Sequence, residues 1–178
     1  MWNGWSFEQA RERHFRYAQK LVDAGVTWAR AAADDQPRVT ALVREHILGS
    51  DNYEPEPSEA AVVAHDNEGA MIGALVLAGA TFEQGMALTV RHLVVEPAWR
   101  GRGVGAVTLG LFAQLLGPDA DAVAMTFGAC GPGKAARFYQ HAGFTVLDPG
   151  EPFKFPLGKR GLLVNENEHY PCWFFRLW

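Results

Sequence analysis

Val95-Glu96-Pro97-Ala98-Trp99-Arg100-Gly101-Arg102-Gly103-Val104-Gly105 sets three alternating glycines between the end of one apolar stretch and the start of another. Upstream, Met86 to Glu96 is rich in β-branched residues and reads as a strand, stopped by Pro97, which has no N–H to give a central ladder. Downstream, Gly103 to Leu116 is apolar on most faces, with Thr108 and Gln114 among its few polar positions, and reads as a helix buried against a sheet. A glycine loop in that place lets backbone N–H groups close on an anion, and the helix start adds about half a positive charge. Arg100 and Arg102 bracket the loop with donors suited to phosphate oxygens. Glycine spacing alone leaves a plain tight turn open beside the phosphate cradle.

Two other phosphate motifs compete. Gly101-x-Gly103-x-x-Ala106 fits the dinucleotide fingerprint in form, but there the glycines follow the strand at once and an acid ends the next strand. Here Glu96 to Arg100 intervene, and the next strand ends in Phe127-Gly128-Ala129, with Asp119 and Asp121 before it. The second, Gly128-Ala-Cys-Gly-Pro-Gly133-Lys134-Ala135, is one residue from a nucleoside-triphosphate loop, yet Ala135 stands where a hydroxyl would hold magnesium.

Outward from the loop, the chain alternates helix and strand. Ser6 to Leu21 carries apolar residues at a period near 3.6, with Ser6 placed to cap, and reads as an amphipathic helix ended by Gly25. Val26 to Ala32 reads as a strand, and Pro37 to about Leu48 as a helix capped by Asp34 or Asp35 and stopped by Gly49. Ser50 to Ser58, acidic with Pro55 and Pro57, reads as an exposed loop. Ala60 to His65 and Ala70 to Ala80 read as a hairpin around Asp66-Asn67-Glu68-Gly69. After the buried helix, ended by Gly117-Pro118, come a strand from Ala122 to Phe127, a helix from Lys134 to Ala142 closed by Gly143, and strands at Phe144 to Leu147 and Tyr170 to Trp178. The order predicts an α/β domain with a mixed sheet, because hairpin-linked strands run antiparallel and helix-linked ones tend to run parallel.

Bulk composition agrees. The 178 residues suit one domain, and 48% hydrophobic with 20% charged is ordinary globular usage. A net charge of -4, with no basic run, speaks against nucleic acid as a partner. The longest apolar stretch, Ala70 to Ala80, is broken by Gly73 and Gly79 and falls short of the roughly 20 residues a membrane helix takes, so no membrane partner is expected. Met1 to Phe7 lack the features of a secretory signal, and Cys130 and Cys172 lack metal-ligand spacing. The expectation is a cytoplasmic protein with unpaired thiols and no metal site.

At this point the sequence resembles the GNAT superfamily of N-acetyltransferases. The family's strand ending V-x-P followed by [QR]-x-x-G-x-[GA] is matched by Val95-Glu96-Pro97 and Arg100 to Gly105, and its A-x-x-[LF]-Y-x-x-x-G-F helix by Ala135-Ala136-Arg137-Phe138-Tyr139-Gln140-His141-Ala142-Gly143-Phe144. Trp28 to Asp35 also resembles the family's first strand and helix start, so the likeness covers about residues 26 to 178, with residues 1 to 25 as an N-terminal helical extension. One position departs: Pro132 stands where many members have Asn, three residues before the helix Ala. The resemblance implies a mixed, mostly antiparallel central sheet of about seven strands flanked by helices, with the N-terminal helix added.

The resemblance also implies acetyl-CoA as co-substrate, no metal, and direct attack by a primary amine of a small molecule or peptide. Its pyrophosphate would rest on Arg100, Gly101, Arg102, Gly103, Val104 and Gly105, with Lys134 and Phe138 as further contacts. The pantetheine would lie along Leu93, Val94 and Val95, where a backbone N–H would polarise the thioester carbonyl. Tyr139 would protonate the leaving thiolate, and a base is expected from the fourth or fifth strand, directly or through water, with His92 and Glu96 as candidates. Alternation puts both on one face unless a bulge intervenes. No motif identifies the acceptor; the acidic loop with Asp51, Glu54 and Glu56 leaves attraction of a cationic amine open beside simple solvation. A non-catalytic acyl-CoA-binding sensor with the same fold is the alternative function. The apolar last strand, Tyr170 to Trp178, is expected at a sheet edge, where it invites pairing and points to a homodimer.

Overall fold

The computed structural model describes residues 7–115, 122–158 and 161–178. Along them run α1 (Phe7–Asp23), β1 (Thr27–Arg30), α2 (Gln36–His46), β2 (Glu59–His65), β3 (Met71–Phe82), β4 (Gly85–Val95), α3 (Val104–Leu115), β5 (Val123–Cys130), α4 (Lys134–His141), β6 (Thr145–Val146), β7 (Phe153–Lys154), β8 (Leu162–Leu163) and β9 (Cys172–Leu177). Seven strands take the order β1-β2-β3-β4-β5-β9-β6, and β7 pairs with β8 in a separate ribbon. This is the mixed, mostly antiparallel sheet with flanking helices that the sequence implies. The expected cap at Ser6 and the helix stop at Gly117-Pro118 lie outside the described residues.

The chain divides into two compact units. One comprises Arg11–Ala78 and Arg91–Ala120. In it β1 and β2 pair antiparallel from Thr27↔His65 to Arg30↔Val62, and β2 and β3 from Glu59↔Ala78 to His65↔Met71, with a bulge between Ala64 and His65. Strand alternation, with its parity reset on β3 at this bulge, sorts the side chains between two cores. Ala61, Val63, Ala74, Val76 and Val94 pack with Val39, Leu42 and Val43 of α2, while Ala64 and Ile72 pack with Leu21, Val26, Val104 and Val107. Thr108, fully buried in α3, is satisfied twice: its hydroxyl donates to the Val104 carbonyl at 2.8 Å and accepts from the Trp28 indole at 3.0 Å.

The other unit comprises Met1–Ala10, Gly79–Val90 and Asp121–Trp178. Here the first half of β4 pairs parallel with β5, from Met86↔Val123 to Val90↔Gly128, as expected for strands linked through a helix. Gly128 is compelled by its neighbours: a Cβ there would lie 2.5 Å from Phe174 Cζ and 2.8 Å from the Val90 carbonyl oxygen. An aromatic core of Phe127, Phe153 and Phe155, with Phe82, Trp173 and Phe175 around it, fills one face.

One expectation is corrected. The final strand, β9, is not an edge strand: it pairs antiparallel with β5 from Met125↔Leu177 to Cys130↔Cys172 and with β6 at Thr145↔Phe175 and Val146↔Phe174. The chain returns from α4 into β6 two places away from β5, and β9 fills the slot between them. Its apolar character is therefore that of an interior strand, and the ground for a homodimer through it is gone. The 148–169 segment, which carries no sequence motif, contains the β7–β8 ribbon and buries Phe153, Phe155 and Leu157.

Candidate active site

Between β4 and α3, Pro97–Trp99 forms one 3-10 turn, closed by Trp99 N–H to the Glu96 carbonyl at 2.9 Å and Arg100 N–H to the Pro97 carbonyl at 3.3 Å. Gly101 (φ +74) and Gly103 (φ +99) then take left-handed backbone, which only glycine adopts without strain. Space around a Cβ at Gly101 is open, whereas at Gly103 it is filled by the ring of Tyr17 from α1. The loop delivers Val104, Gly105 and Ala106 as the first turn of α3, whose N–H groups have no partner within the helix. Val107 N–H is the first to turn back, onto the Gly103 carbonyl at 3.0 Å. Both arginines brace the loop: Arg100 Nε donates to the Val95 carbonyl at 2.8 Å, and the Arg102 guanidinium lies 5.1 Å from the centre of the Trp99 ring. Open glycine backbone, unpaired helix-start donors and two cations suit a pyrophosphate.

Glu96 N–H donates to the Ile72 carbonyl of β3 at 2.9 Å. By strand alternation, the backbone groups of Leu93 and Val95 turn to the opposite edge, and both residues lie beyond Val90, the last residue of β4 in register with β5. The Val95 carbonyl is taken by Arg100; Leu93 and the Val95 N–H form the strip expected to meet pantetheine.

His92 and Glu96 share the face of β4 that carries Val94 into the α2 core, so the alternation expected from sequence holds over these three residues; the register shift of β4 against β5 falls upstream, between Met86 and Ala87. Glu96 Oε2 approaches His46 Nε2, at the end of α2, to 3.3 Å, although the angles miss those of a hydrogen bond. The His92 ring meets Tyr53 edge to face, centroids 4.7 Å apart at 73°. Burial holds the His92 imidazole below its ordinary pKa, opposed by the Glu59 carboxylate and assisted by Arg91.

The acidic 50–58 loop is solvent-exposed and carries ion pairs to neighbouring cations. Arg44 Nε donates to the Tyr53 carbonyl at 2.9 Å and its guanidinium pairs with Glu54; Arg91 pairs with Glu56 at 3.3 Å. Two of the three acids read as a lure for a cationic amine are thus matched by cations. Tyr53 Oη donates to Glu59 Oε2 at 2.7 Å, and Arg91 Nε lies 3.3 Å from Glu59 Oε1. Sequence reasoning missed Tyr53, Glu59 and Arg91, which meet from one loop and two strands, and His46, which meets Glu96; no local spacing betrays either set.

In the other unit, Tyr139 lies on α4 with its ring stacked on Phe174 (3.6 Å, 12°) and set edge-on to Phe144 at 5.8 Å. Burial, and then the neighbouring Cys130, holds its phenol above the ordinary range, so it keeps its proton. Phe138 lies edge-on to Tyr139 at 5.1 Å, and Lys134 opens the helix. Gly128 to Cys130 are the last three residues of β5, paired with β9, so the Gly128–Lys134 run is a strand end and a short turn rather than a nucleotide-cradling loop. Among the described residues no group of three or more His, Cys, Asp or Glu is arranged to hold a metal.

Residues 57–146, half of the chain, match the family model for the acetyltransferase (GNAT) domain. The chain belongs to the GNAT acetyltransferase family. Among curated proteins no sequence matches it. Solved structures do, and at these low identities they show the fold of this GNAT chain alone. A GNAT-family acetyltransferase from Staphylococcus aureus superposes with a TM-score of 0.61 at 11% identity, over 86% of this chain and 99% of the other. Arabidopsis thaliana NAA60, solved with a bisubstrate analogue, gives 0.59 at 11% identity, over 85% and 97%. A GCN5-related glucosamine N-acetyltransferase region within a fungal multi-domain β-N-acetylglucosaminidase gives 0.54 at 20% identity; the match takes 70% of this chain but only 17% of that one. In this GNAT chain, β4, the glycine loop and α3 form one continuous segment with His92 and Glu96, while Tyr139, Phe138 and Lys134 come from the other unit. The Pro132 departure leaves α4 opening on Gly133 (φ +76), with no side-chain cap.

Proposed function

We propose that this GNAT chain is an N-acetyltransferase that moves an acetyl group from acetyl-CoA to a primary amine by direct attack in a ternary complex. What carries the reading is the segment from Leu93 to Ala106, which offers an unpaired strand edge, an open left-handed glycine and a free helix start in sequence. Arg100 to Gly105 bind the pyrophosphate, and the Leu93 and Val95 backbone aligns the pantetheine, with an N–H there polarising the carbonyl. Acetyl-CoA supplies the acyl group as an activated thioester; the amine forms the new C–N bond as the C–S bond breaks. An acceptor arriving as an ammonium must first lose a proton, which His92, held neutral by burial, accepts. Tyr139 gives its phenolic proton to the departing sulfur and recovers one from the substituted amine. The acceptor is an amine of a small molecule or peptide. Two free buried thiols fit a reducing compartment, and we place the enzyme in the cytoplasm.

Calorimetric titration with acetyl-CoA, beside the exposed-site variant Arg102→Glu, tests the cofactor assignment. Saturable binding weakened at least about tenfold in the variant is the expected result, since the new carboxylate opposes an anion at the helix start. No binding to the unaltered protein would end this reading. Release of free thiol over an amine panel then separates enzyme from acyl-CoA sensor: Tyr139→Phe lowers turnover while cofactor affinity holds in an enzyme, whereas a sensor has no turnover to lose.

A further inference from the structure

Behind His92 lies a cluster that the acetyl-transfer scheme does not yet use. Glu59 opens β2 with its side chain only 3% exposed, an uncommon place for a carboxylate. Tyr53 Oη holds one of its oxygens at 2.7 Å, and the Glu56 backbone N–H reaches the same oxygen at 3.2 Å. The other oxygen faces Arg91 Nε at 3.3 Å without hydrogen-bond geometry. Arg91, next to His92 on β4, is shared with Glu56. The Tyr53 ring that anchors this carboxylate is the one that meets the His92 imidazole. Burying a carboxylate is costly unless it is paired, and this one is paired with one cation and one phenol beside the candidate base.

We propose that Tyr53 and Glu59 are positioning residues for His92: the Tyr53 ring, fastened by its hydroxyl to Glu59, fixes the imidazole plane, and the Glu59 carboxylate stabilises the imidazolium formed when His92 takes the acceptor's proton. The proposal rests on the reading of His92 as base. In the step concerned, the ammonium N–H bond breaks, its electron pair stays on nitrogen for attack, and the proton passes to the imidazole and later to water. The groups facing His92 push in opposite directions. Glu59 from β2 favours the charged imidazole; Arg91 from β4, and the burial to which the Tyr53 ring from the 50–58 loop contributes, favour the neutral one. Glu56 sits beyond Arg91 and partly neutralises it.

Proton NMR titration of the histidine C–H signals of the whole chain reads this directly, with the His92 signal assigned by its loss in His92→Gln. Glu59→Gln should move the His92 midpoint down by about half a pH unit or more, while Arg91→Gln and Tyr53→Ala should move it up. Tyr53→Phe, which keeps the ring, should stay closer to the unaltered protein than Tyr53→Ala does. Other histidine midpoints report that each variant is folded, and the Arg91 and Tyr53 arms decide the matter if Glu59→Gln does not fold. A His92 midpoint that stays put in the folded variants, or that moves against the direction stated for any of them, overturns the proposal. Failure of the base reading shows elsewhere, as turnover that survives His92→Gln.

Discussion

The ring of Tyr17 in α1 occupies the space that a side chain on Gly103 would need. Tyr17 Cγ, Cβ and Cδ1 lie 2.7, 2.8 and 2.9 Å from where a Cβ would stand, and Gly103 is left-handed besides (φ +99). Gly103→Ala should therefore lower stability by about 1–3 kcal/mol, read from chemical denaturation. Adding Tyr17→Ala relieves the contact but not the backbone strain, so the double variant should remain less stable than Tyr17→Ala alone. Equal stability would mean that the loop conformation is not as described.

Acid should loosen the same helix contact. His14 Nδ1 lies 2.9 Å from the Ala106 carbonyl oxygen, and burial lowers the His14 pKa, only partly offset by that hydrogen bond. Between the lowered folded value and the ordinary 6.5, the unfolded chain binds more protons than the folded one, so stability rises with pH across that window and falls as pH drops through it. Denaturation midpoints taken from pH 7.5 to about 5 should decline, and the decline should shrink in His14→Gln. An unchanged slope in that variant would assign the loss to other groups.

The pH profile of turnover has a stated sign. A base must be neutral to accept a proton, and burial keeps His92 neutral to lower pH than a free histidine, so the acid limb of kcat/KM should fall below 6.5 and disappear in His92→Gln. Tyr139, held above the ordinary phenol range, should contribute no basic limb below about pH 10. An acid limb that persists unchanged in His92→Gln would point to Glu96 or to the acceptor itself.

Cys130 and Cys172 face each other across β5 and β9, 3% and 2% exposed, with burial pushing the Cys130 thiol up to about 12. Burial raises the Cys172 thiol as well, so both keep little of the thiolate that reacts. An aromatic disulfide reagent at pH 8 should label the folded protein at least about a hundredfold more slowly than the denatured chain. Prompt labelling of one thiol would show that the β5–β9 ladder opens readily.

The parts legible in the sequence were those whose cause is local. Gly101 and Gly103 announce a backbone that other residues resist, Pro97 a strand end, and the period of two on β4 places His92 and Glu96 together. What stayed hidden depends on residues far apart in the chain. An apolar run such as Cys172–Leu177 looks the same at the rim of a sheet as in its interior, because either place buries side chains; only the partner at Val146 distinguishes them. Two-residue strands such as Phe153–Lys154 are too short to show a period. The Tyr53, Glu59 and Arg91 cluster joins a loop to two strands, and no spacing rule relates those positions. Tyr17 against Gly103 is hidden for the same reason.

The insertion of β9 between β5 and β6 sets a schedule on folding. Met125 cannot find Leu177 until the intervening chain has been made, and until then β5 and β6 stand apart with an empty lane between them. Such distant pairing costs loop-closure entropy before it returns any contact energy, so this half of the protein should be completed late and slowly. A newly made chain waits with its sheet unzipped, and whatever delays the arrival of those six residues lengthens the interval in which it can be captured by a chaperone or a protease.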